Sequence, residues 1–94
     1  MKVQKNLSDI SERLSKAREE LRIAEEQVLF QGDVMEDAKT RMLVSETPLA
    51  DREFRTARDD YERLIAHRER ANAEIVELQG EQDRLLDRML GSRA

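Results

Sequence analysis

Ninety-four residues, 40% of them charged and 3% aromatic, make one domain at most and cannot supply a deep globular core. The formal charge is −4, with seventeen Lys and Arg interspersed among twenty-one acids, which argues against a nucleic-acid partner and its net basic face. Without cysteine there is no disulfide or thiolate–metal chemistry, and without an apolar run of ~18 residues there is no membrane span.

The chain starts "MKVQKNLSDI", which lacks the apolar stretch of a secretory signal, so a soluble, cytoplasmic protein is expected. Asn6-Leu7-Ser8 then matches a glycosylation sequon by chance. A first helix is predicted over about residues 3–44. One heptad row, a, holds Leu7, Leu14, Leu21, Val28, Met35 and Met42; a second, d, holds Val3, Ile10, Ala17, Ala24, Gln31 and Ala38. Within this helix lies "VLFQG", residues 28–32, the sequence that a picornaviral 3C protease site leaves in engineered proteins. An insertion would shift the heptad phase. Val28 and Gln31 hold it, so the segment is native. Gly32 costs roughly 1 kcal/mol in a helix interior, and Asp33 with Glu36 could cap a new start. The unbroken phase predicts one continuous helix with a soft point at Gly32.

A turn is predicted at 45–47. Pro48 suits the first turn of a helix, where its missing N–H would have had no partner, and Thr47 is the N-cap. The residue before a proline is pushed out of the α region, which ends the first helix near Val44 or Ser45. A second helix follows over about 48–90, then a short flexible tail, 91–94. Its a row is Phe54, Tyr61, Arg68, Ile75, Gln82 and Met89; its d row is Ala50, Ala57, Leu64, Ala71, Leu78 and Leu85.

A fold-back centred on Glu46 pairs residues whose numbers sum to 92, and every a residue then meets a d residue. Large faces small: Ala38 with Phe54, Met35 with Ala57, Leu21 with Ala71, Ala17 with Ile75. The flanking pairs Lys39–Asp51, Arg41–Glu53 and Arg13–Glu81 help set the register. The predicted fold is all-α: two long helices in an antiparallel coiled-coil hairpin, each arm ~60 Å long at 1.5 Å per residue, with 1–94 as one domain.

Apolar residues remain off the seam. Ile23, Phe30 and Val34 line up on the first helix, with Leu29 beside them; Ile65, Val76, Leu86 and Leu90 are scattered on the second. The stripe is expected to meet another helix, most simply in a homodimeric four-helix bundle, or else to dock a helical partner. Of the polar seam residues, Arg68 is expected to run its stem over Ala24 and turn its charge to water. No enzymatic activity, metal, cofactor or small-molecule substrate is expected. The one histidine, His67, falls beside the seam, and Gly32, Gly80 and Gly91 are too isolated to form a phosphate loop. Neither arm has the basic polar face of a membrane-surface helix.

The turn is a second candidate contact, through Leu43, Glu46, Leu49, Asp51 and Glu53. Leu43 is expected to pack on Leu49 and close it. The segment "EFRTARDDYERL" that follows is similar to the ascending helix of Gre-type transcript cleavage factors, the matching residues being Glu53-Phe54 and Ala57-Arg58-Asp59. That resemblance implies a coiled coil carrying two tip carboxylates into the secondary channel of RNA polymerase. Asp51 stands for one of them, Pro48 falls near the other, and the family's globular domain has no counterpart here. Two functions follow: a non-enzymatic coiled-coil interaction protein, or a rod-like regulator of a larger machine such as RNA polymerase.

Overall fold

The computed structural model describes residues 2–91, the side chain of Val3 excepted. Helix α1 spans Lys2–Ser45 and helix α2 spans Pro48–Gly91; the described residues hold no strand. The chain reverses through Glu46 and Thr47, giving the antiparallel helical hairpin that the two seams demand. Each helix runs slightly beyond its predicted bounds, so Gly91 belongs to α2 and not to a tail. The Val3–Met89 pairing and the rest of the tail lie outside the described residues.

The reversal is built from local chemistry. Glu46 N–H donates to the Met42 carbonyl at 3.1 Å, and Glu46 itself takes a left-handed φ of 50°. Glycine is the usual residue just past a helix end; a glutamate in that conformation costs about 1 kcal/mol. On the other side, Thr47 Oγ1 accepts the Ala50 N–H at 3.1 Å, and the Thr47 carbonyl accepts the Asp51 N–H at 3.1 Å. This is the predicted N-cap with Pro48 in the first helical position, an arrangement worth about 1 kcal/mol. Asp51 in the first turn faces the positive end of the α2 dipole.

Burial follows the heptad phase. Among the described residues all twelve buried apolar ones are seam positions, so the period read from the sequence is the period that packs. The hairpin divides into two compact units: residues up to Leu21 with those from Arg70 onward, and Arg22–Glu69. The first holds the apolar core: Ile10, Leu14, Ala17, Ile75, Leu78 and Leu85, with Leu7 and Leu21 packed against them.

The Arg22–Glu69 unit is built differently. Its buried residues are Ala24, Val28, Ala38, Ala50 and Ala57, four alanines and one valine, while Met35, Phe54, Tyr61 and Leu64 are half-buried. Gln31, a polar seam residue, donates from Nε2 to the Ala57 carbonyl at 3.2 Å, which satisfies its amide inside the seam. Arg41 Nε lies 3.8 Å from Glu53 Oε2, and Gly32 sits beside Tyr61. These contacts fall within about one helical turn of the expected register. The Arg68 guanidinium reaches Glu69 Oε1 at 3.3 Å, and Ala24 is completely buried. Arg58 lies over the Phe54 ring, 6.0 Å from its centre.

Gly32 does not interrupt α1. A β-carbon built there would meet Tyr61 Cε2 at 3.5 Å, an ordinary van der Waals contact. Gly32→Ala is therefore expected to raise the unfolding free energy by about 1 kcal/mol, the helix-propensity difference, in urea denaturation. A loss instead would mean that the Tyr61 ring has no room to accept a methyl group.

Candidate functional site

With both seams occupied, the residues left for outside contact are set by helical phase. Of the nine large apolar residues that stay exposed among the described ones, six belong to the Arg22–Glu69 unit, so an external contact is best sought there. Ile23 (41% exposed) and Phe30 (70% exposed) share one hollow of about 340 Å³ with Glu26, Gln27, Gln31 and Leu64. Val34 is half-buried and sits in a neighbouring groove of about 830 Å³. That groove takes Gln31, Val34, Ala38 and Arg41 from α1, and Leu49, Arg52, Glu53, Thr56, Ala57 and Asp60 from α2. Gln31 borders both, so Ile23, Phe30 and Val34 lie along one flank, as their spacing predicts.

The sequence treats the stripe and the turn as separate candidates. The structure joins them, because Leu49 and Glu53 line the same groove as Val34. The signal was available: the fold-back register that pairs Arg41 with Glu53 also brings this side of α2 against the Val34 side of α1. The Arg41–Glu53 pair does form, with both partners about half exposed, so it contributes little to stability.

Leu43 and Leu49 do not seal the turn as expected; they remain 64% and 59% exposed. The end of the seam is closed instead by Ala50, which is buried, and Met42, which is half-buried. Glu46 and Asp51 are exposed at the turn. A third hollow, in the other unit, is polar and of mixed charge, with Arg13, Arg84 and Arg88 facing Asp9 and Glu81. His67 is exposed. Among the described residues no group of three or more His, Asp or Glu is placed to hold a metal ion, and no helix is long and apolar enough to cross a membrane. What the arrangement offers chemically is an apolar flank with a polar rim.

Compared with protein-family models, curated proteins and solved structures, the chain matches none.

Proposed function

We propose that this chain is a non-enzymatic helical-hairpin interaction protein that associates with a second copy through the flank bearing Ile23, Phe30 and Val34. The observation that carries this reading is Phe30, 70% exposed in a unit whose buried residues are four alanines and one valine. Burying such a side chain contributes about 2 kcal/mol or more. The accessible area adds support. The chain exposes 7130 Å² at 11.0 kDa, against roughly 5,600 Å² for a folded monomer of that mass. A standard interface covers about 800 Å² per partner, which removes about half of that excess. The acidic balance speaks against a nucleic-acid partner, and a cytoplasmic setting belongs to the same proposal.

Light scattering on the purified protein is expected to give the mass of a dimer, and Phe30→Glu to shift it to monomer with unchanged helix content. An unshifted mass would remove this flank as the contact.

One observation favours a second reading: Glu46 and Asp51 are exposed at the turn together with Leu43 and Leu49. A regulator acting through this acidic tip on a larger machine such as RNA polymerase would be a monomer that recovers a large assembly in a pull-down. That recovery should vanish when Asp51 and Glu53 become alanine and survive Phe30→Glu.

A further inference from the structure

The flank carries both a projection and a recess, and this makes it complementary to itself. Phe30 stands out from α1 at 70% exposure. The adjoining groove has a floor of small side chains, Ala38 and Ala57, which are 2% and 6% exposed, and walls of Val34 and Leu49. The groove, of about 830 Å³, is shallow and open to solvent, so an aromatic ring can lie on its floor with Arg41 and Arg52 on the rim against the ring face. Along α1 the middle of the groove is about six residues from Phe30, or ~9 Å at 1.5 Å per residue.

Resting on the self-association proposed above, we infer that two copies pair about a two-fold axis near Val34, each placing its Phe30 in the Val34–Leu49 groove of the other. An isologous interface requires that whatever one copy offers, the other receives in the same place. A projection and a matching recess on one flank, displaced by ~9 Å along a helix, meet that requirement with one axis midway between them. Charge agrees with the arrangement. Glu26, which lines the hollow around Phe30, comes beside Arg41 on the rim of the opposite groove, acid against base. Between these charges the flank presents Gln27, Phe30, Gln31 and Val34, with one exposed acid, Asp37, in the row of Ile23 and Phe30. A flat stacking of Phe30 on Phe30 would leave both grooves empty.

The test is a pair of variants, Phe30→Glu and Leu49→Lys, measured by light scattering alone and as an equimolar mixture. Both positions are exposed, so circular dichroism should show the helix content of the original protein. Each variant alone is expected to be a monomer, since each disables both symmetric contacts. The mixture is expected to recover the dimer mass, twice that of either variant. There the introduced glutamate of one variant faces the introduced lysine of the other, while the intact Phe30 faces the intact Leu49. If the unmodified protein is a dimer but Leu49→Lys still dimerises, or the mixture stays monomeric, this seating is wrong while self-association stands. If the unmodified protein is a monomer, both fall.

Discussion

Leu14→Ala is expected to lower the unfolding free energy by about 3 kcal/mol, within the range for a buried leucine truncated in a core that cannot collapse around the gap. Leu14 is 2% exposed and belongs to the same cluster as Leu78, which is 1% exposed. Among the described residues these are the two largest fully buried side chains, so their loss removes packing that no other described layer duplicates. Total stability of a chain this size is of order 5–15 kcal/mol, so the variant should still fold, keeping about 2 kcal/mol at the low end of that range. Urea denaturation at one fixed protein concentration measures the change, because self-association would otherwise move the midpoint by mass action. Leu29→Ala is the control: at 73% exposure it should change stability by less than about 0.5 kcal/mol. A cost below about 1 kcal/mol at Leu14 would contradict a packed seam.

The second large effect tests the pairing of the helices directly. Ala17 and Ile75 are 2% and 8% exposed and belong to the same apolar cluster. Ile75→Ala should cost about 2–4 kcal/mol through the cavity it leaves. Ala17→Ile should cost about 1–3 kcal/mol by overpacking the narrow side of the seam. Combined, the two substitutions exchange large for small across the interface and conserve its volume. The double variant is therefore expected to be more stable than the sum of the singles predicts, with a coupling of about 1–2 kcal/mol. Strict additivity would show that the two side chains do not face one another, and the fold-back register would have to be redrawn.

Much of this architecture is legible in the residues because its determinants are local. A heptad row such as Leu7-Leu14-Leu21 states which face of a helix is buried without reference to anything distant. Thr47-Pro48 likewise states where a helix begins, since the cap is satisfied by an N–H three residues away. The unbroken phase through Gly32 carried the same message, and the helix is continuous there. Glu46 was harder. It marks the centre of the turn, but a left-handed glutamate has no sequence signature of the kind that glycine gives.

The candidate site was legible only in part. Ile23 and Phe30 announce themselves as apolar residues off the seam, and their exposure follows from phase alone. The groove does not. Val34, Ala38, Leu49 and Ala57 come from different helices, and their joining depends on how far each helix is rotated about its own axis once the seams interlock. The same rotation leaves Leu43 and Leu49 exposed rather than packed together. Helix, turn, seam and register were thus determined by the sequence itself, through periodicity and capping that act over a few residues. Which flank residues of α1 and α2 share a surface was decided by tertiary packing, because that depends on the facing angle of two helices, and no stretch of either one encodes it alone.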